Sequence, residues 1–128
     1  FSVILIDTNV LLHALTSPQR LSTATRRLLE GSTDIYVSSL SFLELAIKER
    51  VLGRGPSDIL GVVKLSNIQV LDYTAQDAAE IRNFASLSGH DPFDRALLAQ
   101  ASNNGARFLT SDQKLLQLGL SWVTDSQE

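Results

Sequence analysis

Short apolar runs alternate along the chain with segments in which apolar residues recur every three or four positions. The short runs are typical of strands buried on both faces of a parallel sheet, and the periodic segments predict amphipathic helices. The predicted strands lie at residues 3–6, 35–37, 68–71 and 107–109, with a candidate edge strand at 121–123. The predicted helices lie at residues 10–15, 17–29, 41–51, 57–65, 74–87, 92–102 and 113–118.

This order of elements predicts an α/β fold, a three-layer α/β/α sandwich around a mostly parallel sheet of four or five strands. A chain of 128 residues has the length of one domain with one sizeable core. We therefore expect a single domain over residues 1–124, followed by a polar tail over residues 125–128 that frays.

Composition excludes several kinds of site. Cysteine is absent and the two histidines are His13 and His90, so disulfides, thiol nucleophiles and zinc fingers are excluded and a histidine-built metal site is not expected. Lys and Arg number 11 against 14 Asp and Glu, and the net charge of -3 argues against a strongly basic nucleic-acid binder. No apolar run approaches the roughly 20 residues of a membrane span. The first run lacks the flanks of a signal peptide, so we expect a cytoplasmic protein.

Acidic residues stand where predicted strands lead into helices. Asp7 directly follows the first strand, Asp112 follows the fourth within three residues, and Glu44 and Asp94 lie in the first turns of two further helices. The carboxyl ends of parallel strands meet at one edge of a sheet, so these acids are candidates for one site. Clustered carboxylates without histidine or cysteine suit Mg²⁺ or Mn²⁺, and such an ion commonly serves phosphate chemistry.

Each of these acids also has a purely structural interpretation. Asp7, Asp91 and Asp112 would be N-caps, and the segment Ser41–Glu44 matches a capping box. Asp94 would interact favourably with the dipole of its own helix. Taken from the residues alone, the metal site and the set of helix caps both remain open.

Four segments of the chain resemble the motifs of the PIN-domain nucleases. Residues 6–12, Ile-Asp-Thr-Asn-Val-Leu-Leu, resemble the first motif, and Glu44 after Ser38-Ser39-Leu40-Ser41 resembles the second acid. Residues 90–101, from His-Asp-Pro-Phe-Asp-Arg to Gln-Ala, are similar to the third motif in one branch of the family, and Leu109-Thr110-Ser111-Asp112 is similar to the fourth. The resemblance extends from residue 4 to about residue 123.

The resemblance implies an endoribonuclease that depends on one or two Mg²⁺ or Mn²⁺ ions and cleaves single-stranded or structured RNA. Small members of the family are typically VapC-type toxins of a toxin–antitoxin pair. By that resemblance we expect an RNA substrate, a cognate antitoxin in an apolar groove between helices, and a homodimer.

The resemblance also implies roles for single residues. The predicted catalytic and metal-binding quartet is Asp7, Glu44, Asp94 and Asp112. The residues expected to hold the site by hydrogen bonds are Thr8, Asn9, Thr110 and Ser111. Arg95 faces a phosphate or pairs with an acid, and the sequence leaves both open. Asp91 is interpreted as a helix cap, and His90 as a turn residue rather than a general base.

Two other functions compete with the nuclease prediction. A non-catalytic PIN-like module would bind a protein and keep the fold without the chemistry, although the intact quartet argues against it. A receiver-like or phosphatase-like domain would need paired early acids or a lysine directly after the fourth strand, and neither is present. Six basic residues in one third of the chain would flank an RNA groove or form a solvated helix face: Arg20, Arg26, Arg27, Lys48, Arg50 and Arg54.

Overall fold

A five-stranded sheet in which every pair of neighbouring strands is parallel forms the centre of the molecule. The computed structural model describes residues 3–32, 34–48, 56–87 and 89–128. The strands are β1 (Ile4–Ile6), β2 (Ile35–Ser38), β3 (Gln69–Leu71), β4 (Arg107–Thr110) and β5 (Val123–Asp125). Their spatial order is β3-β2-β1-β4-β5, so β1 lies at the centre between β2 and β4.

Helices connect the strands and cover both faces of the sheet. They are α1 (Thr8–Thr16), α2 (Thr23–Gly31), α3 (Ser39–Ile47), α4 (Pro56–Lys64), α5 (Ala75–Ala79), α6 (Pro92–Asn103) and α7 (Gln113–Leu116). Two 3₁₀ segments, Pro18–Arg20 and Glu80–Leu87, join them. In the part of the chain that the structure describes, no helix is long and apolar enough to cross a membrane.

The hydrophobic core is divided by the sheet into two clusters. Successive side chains of a strand point to opposite faces, and Ile4 and Ile6 accordingly pack with α1 on one side while Leu5 packs with α6 on the other. Leu98 and Phe108 are fully buried in the second cluster. Two clusters on opposite faces of one parallel sheet confirm the predicted three-layer α/β/α fold.

Two of the predicted helices are interrupted. The helix predicted at residues 17–29 breaks at Leu21, whose backbone is extended and whose side chain is buried in the core. Ser22 then caps α2 by accepting a hydrogen bond from the backbone N of Thr25 at 3.0 Å. The helix predicted at residues 74–87 becomes a 3₁₀ segment after Ala79, with non-helical dihedral angles at Phe84. At both non-helical positions, Leu21 and Phe84, the side chain is apolar and buried in the core.

The carboxyl-terminal residues are attached to the sheet. The edge strand predicted at 121–123 lies two residues later, at Val123–Asp125. Ser126 is buried; its backbone N donates to the carbonyl of Thr110 at 2.8 Å, and its carbonyl accepts from the backbone N of Ser22 at 3.0 Å. The expectation that the residues after Thr124 fray is therefore wrong, because they pair with the end of β4 and the start of α2. Residues 49–51, the last three of the helix predicted at 41–51, lie outside the described residues.

Candidate functional site

Asp7 lies at the carboxyl end of the central strand, and its side chain is buried. Its Oδ1 accepts a hydrogen bond from the backbone N of Val10 at 2.7 Å, which makes Asp7 the N-cap of α1. Its Oδ2 accepts a hydrogen bond from the Thr110 hydroxyl. Burial raises the pKa of Asp7 to about 6; the two hydrogen bonds oppose this rise, and the charges of Glu44 and Asp112 add to it.

Thr110 connects two of the predicted acids. It ends β4, beside β1, and its hydroxyl donates to Asp7 while accepting from the backbone N of Asp112 at 3.0 Å. Asp112 is the N-cap of α7, because its Oδ1 accepts from the backbone N of Lys114 at 2.9 Å. Ser111 lies between them and is partly exposed. The buried hydroxyl of Thr110 thus fixes the acid of β1 against the loop that carries Asp112.

Glu44 faces α1 from the neighbouring helix α3. Thr8 Oγ1 donates to Glu44 Oε1 at 2.6 Å and lies 2.8 Å from the hydroxyl of Ser41. Lys48 Nζ, one helical turn further along α3, lies 2.8 Å from Glu44 Oε2. The N-cap of α3 is Ser38, so the alternative in which Ser41 and Glu44 form a capping box is wrong. Both oxygens of Glu44 are therefore engaged inside the candidate site.

Asp94 lies in the first turn of α6 and is half-buried. Asp91 is the N-cap of this helix, as predicted, since its Oδ1 accepts from the backbone N of Phe93 at 2.8 Å. Burial, the largest cause, and the charges of the neighbouring carboxylates, Asp112 first among them, together raise the pKa of Asp94 to about 7. Near neutral pH, Asp94 is therefore partly protonated.

Three of the four predicted acids line one small cavity. Its volume is about 20 Å³, enough for an occupant of the size of one water molecule. The lining residues are Asp7, Thr8, Asn9, Glu44, Asp94 and Leu97. Asp112 lies close enough for its charge to raise the pKa of both Asp7 and Asp94. Four separate segments of the chain thus bring their carboxylates to one end of the sheet.

The donor atoms of this site suit a hard divalent cation, because they are carboxylate and hydroxyl oxygens. In the described residues, however, no three side chains of Asp, Glu or His are close enough to hold one ion. The contacts above explain this, since Asp7 is turned to Thr110 while Glu44 is turned to Thr8 and Lys48. The chemistry and the mutual repulsion of the acids fit Mg²⁺ or Mn²⁺, and ligation by three carboxylates requires at least one of these contacts to be exchanged for the ion.

Arg95 and His90 both belong to the third motif, and each has a buried nitrogen without a hydrogen-bond partner in the described residues. The two ion pairs found in the described parts of the chain are both made by Lys48, so Arg95 is not paired with an acid there. Arg95 Nε and His90 Nδ1 are buried and, within those same parts, lack a hydrogen-bond partner. His90 lies in the turn before α6, as predicted.

The six basic residues named from the sequence do not form one described surface. Arg20, Arg26 and Arg27 are exposed, while Arg50 and Arg54 lie outside the described residues. Lys48 instead contacts the carboxylate cluster. Their role as an RNA groove stays a prediction.

Two residues of the site were missed by the sequence analysis. Ser41 was assigned only to a cap, and Lys48 only to a possible groove, yet Ser41 contacts Thr8 and Lys48 pairs with Glu44. The second contact had a sequence signal, because residues four positions apart on a helix are neighbours. The contact of Ser41 with Thr8 joins residues 33 positions apart and had no such signal.

A larger cavity of about 390 Å³ lies at the opposite end of β4. Its walls include Ala106, Arg107 and Trp122, and none of the predicted site residues lines it. Its size does not make it the functional site, because none of the described residues that line it carries a carboxylate. The small acidic cavity therefore remains the candidate.

The chain matches the model of the PIN domain over residues 4–119. Ribonuclease VapC22 of Mycobacterium tuberculosis is 29% identical over 119 residues, which cover 89% of this chain and 90% of that protein. A DNA-bound VapBC structure from Salmonella typhimurium matches with a TM-score of 0.68 at 22% identity, covering 98% of this chain and 97% of that one. A toxin–antitoxin complex from Klebsiella pneumoniae matches with a TM-score of 0.68 at 15% identity, covering 94% and 95%.

These matches confirm the resemblance to VapC-type PIN-domain nucleases that the four motifs indicate, and the two solved structures share the fold of this chain. With nearly its whole length matched, the chain belongs to the PIN-domain family.

Proposed function

We propose that this chain is a Mg²⁺- or Mn²⁺-dependent endoribonuclease that acts as the toxin of a toxin–antitoxin pair in the cytoplasm. The observation that carries the proposal is the convergence of four carboxylates from separate segments on one end of the sheet. The similarity to Ribonuclease VapC22, over about nine-tenths of both chains, supports RNA as the substrate.

The quartet Asp7, Glu44, Asp94 and Asp112 would hold the divalent ion. Asp7 and Asp94 are the best candidates for direct ligands, because burial and repulsion make their ionised forms costly without a cation. Glu44 and Asp112 would act through water or orient the nucleophile. When bound, the ion supplies an activated water and neutralises charge on the phosphoryl group.

The hydroxyl side chains of the site orient the acids. Thr110 fixes one oxygen of Asp7, and Thr8 fixes one oxygen of Glu44, so each carboxylate keeps a defined direction. Removing such a supporting hydrogen bond commonly lowers metal affinity or activity about 10- to 100-fold. Asn9 lines the same cavity and is exposed, and Ser111, which precedes Asp112 in the chain, is partly exposed, so both would be available to the RNA backbone.

The test is cleavage of single-stranded RNA by the wild type and Asp94→Asn in Mg²⁺ or Mn²⁺. We expect the variant to lose at least about a hundredfold in rate, because it removes one ligand charge. Asp58→Asn is the matched control, since it makes the same change in the first turn of α4 on an exposed side chain. Equal cleavage by wild type and Asp94→Asn, with metal present, would overturn the proposal.

The alternative of a non-catalytic protein-binding module makes a different prediction. Such a module would keep its fold yet neither bind Mn²⁺ nor cleave RNA. Calorimetric titration of the wild type with Mn²⁺ separates the two functions before any substrate is known. A lack of heat, together with a folded protein, would favour the module.

The antitoxin partner would contact the apolar surface of α3 and α4, which pack against each other. Leu43 and Ile47 on α3 are 50% and 65% exposed, and Val62 on α4 is 47% exposed. Exposed apolar side chains on neighbouring helices are typical of a surface that binds a helix or a second copy. Sedimentation of wild type and Ile47→Ser, alone and co-expressed with the antitoxin, tests the antitoxin and homodimer predictions. Unchanged assembly in Ile47→Ser would contradict this placement.

A further inference from the structure

Lys48 is a cation built into the acidic site. It terminates α3, where its backbone N donates to the carbonyl of Glu44 at 3.0 Å and fixes the stem one helical turn from that acid. Its Nζ lies 2.8 Å from Glu44 Oε2 and 3.5 Å from Asp91 Oδ2. Because the Lys48 side chain is 40% exposed, it can move without disturbing the core. The ammonium therefore has two carboxylates within reach, one inside the site and one at its rim.

Glu44 can join a metal site only at the expense of one of its present contacts. Its Oε1 accepts from Thr8, and its Oε2 is paired with Lys48. The contact with Thr8 is inside the protein, whereas the contact with Lys48 is partly open to solvent. The ion pair is thus the contact that a divalent ion displaces at the lower cost, since partly exposed ion pairs contribute little to stability.

Asp91 provides the place to which the ammonium moves. Its Oδ1 is used as the N-cap of α6, while its Oδ2 faces Lys48. We propose that Lys48 is a positioning residue that holds the Glu44 carboxylate in competition with the divalent cation, with Asp91 as the alternative acceptor of the ammonium. This inference rests on the proposed function, because it requires a carboxylate site that binds a divalent ion. The inference adds Lys48 to the residues that set the affinity of that site for the divalent ion.

The experiment is calorimetric titration with Mn²⁺ of the full chain and its lysine variants. Lys48→Met keeps the apolar stem and removes the charge, so we expect its Kd for Mn²⁺ to fall about two- to fivefold. Lys48→Arg keeps the charge and should bind Mn²⁺ like the wild type. Lys64→Met is the matched control, because this exposed lysine ends α4 near the start of β3, away from the carboxyl ends of the strands.

Two further arms separate a direct competition from a general charge effect. In a Glu44→Gln background, Lys48→Met should lose most of its advantage, because the carboxylate that it frees is gone. High salt should also reduce the advantage, since exposed charges are screened. Thermal melts of each variant establish that it is folded, and Lys48→Gln repeats the test with a different neutral side chain.

The outcomes distinguish this inference from the proposed function. Equal or weaker Mn²⁺ binding by Lys48→Met and Lys48→Gln, with normal binding by the wild type, overturns the role of Lys48 and leaves the metal site standing. An advantage that persists unchanged in the Glu44→Gln background also overturns it. If the wild type binds no Mn²⁺, both the proposed metal site and the competition are overturned.

Discussion

Replacing Asp7 by Asn should stabilise the protein at neutral pH when a chelator is present. A pKa raised from its ordinary value of 3.8 to about 6 means that the ionised form of Asp7 costs about 3 kcal/mol of folding free energy at pH 7. Asn carries no charge and avoids this cost. The same substitution removes a proposed metal ligand, so it should abolish cleavage while it strengthens the fold.

The gain is smaller than the full cost because one hydrogen bond changes. The Asn carbonyl can still accept from the backbone N of Val10, but its amide group faces the Thr110 hydroxyl, which donates to Asp7 in the wild type. Rearranging that contact costs about 1 kcal/mol. We therefore expect a net gain of about 2 kcal/mol at pH 7, or a rise in Tm of about 5–10 °C for a domain of this size.

The gain must depend on pH with a definite sign. The unfolded chain releases the Asp7 proton near pH 3.8, whereas the folded chain retains it up to about pH 6. Between these values the folded state binds more protons, so wild-type stability falls as pH rises. The Asn variant lacks this dependence. It should therefore be the more stable protein at pH 7 and the less stable one below about pH 4.5, where only its lost hydrogen bond counts.

Urea unfolding of both proteins from pH 4 to pH 8, in chelator, measures these differences. Asp72→Asn is the control, since it makes the same substitution on an exposed side chain and should change stability by less than about 0.5 kcal/mol. An Asp7→Asn variant that is less stable than the wild type at pH 7 would refute the reasoning. So would a stability difference that does not change with pH.

Three further predictions concern the hydroxyl of the site, a buried acid outside it and the core. Thr110→Val removes the donor to Asp7 and should raise the pKa of that carboxyl further in an NMR titration. Thr110→Ser keeps the hydroxyl and should leave this pKa unchanged. An equal pKa shift in both variants would contradict the role of the hydroxyl. Asp77→Ala removes the acceptor of three hydrogen bonds and should cost about 3 kcal/mol in urea unfolding. Leu98→Ala should cost about 2–5 kcal/mol by the same assay, against less than about 0.5 for Leu65→Ala, which is 92% exposed.

The strands β1 and β2 at the centre of the sheet were predictable because they are apolar runs that end in polar residues. Ile4–Ile6 ends at Asp7, and Ile35–Ser38 ends in the serine that caps α3. A strand buried on both faces has an uninterrupted apolar run as its sequence signal, and such a run is easily recognised. The ends of helices carry a weaker signal. Leu21 sits in a helical pattern, yet its burial against the core is a property of the whole fold rather than of its neighbours.

The candidate site was predictable as a set of residues but not as a set of contacts. The motifs indicated Asp7, Glu44, Asp94 and Asp112, and the order of the strands placed them at one end of the sheet. Which oxygen meets which donor depends on helix rotation and side-chain packing. The pairing of Glu44 with Lys48 is therefore a result of the structure, although their spacing permits it.

The structural and functional interpretations of the acids prove to be compatible, because a carboxylate has two oxygens. Asp7 caps α1 with Oδ1 and meets Thr110 with Oδ2, and Asp91 caps α6 with Oδ1 and faces Lys48 with Oδ2. The positive end of a helix dipole also lowers the cost of placing negative charges together. A fold that starts several helices at one end of a parallel sheet can thus assemble like charges there. Asn at a cap position then separates the two roles, since its one carbonyl oxygen can cap the helix while the second charged oxygen is lost.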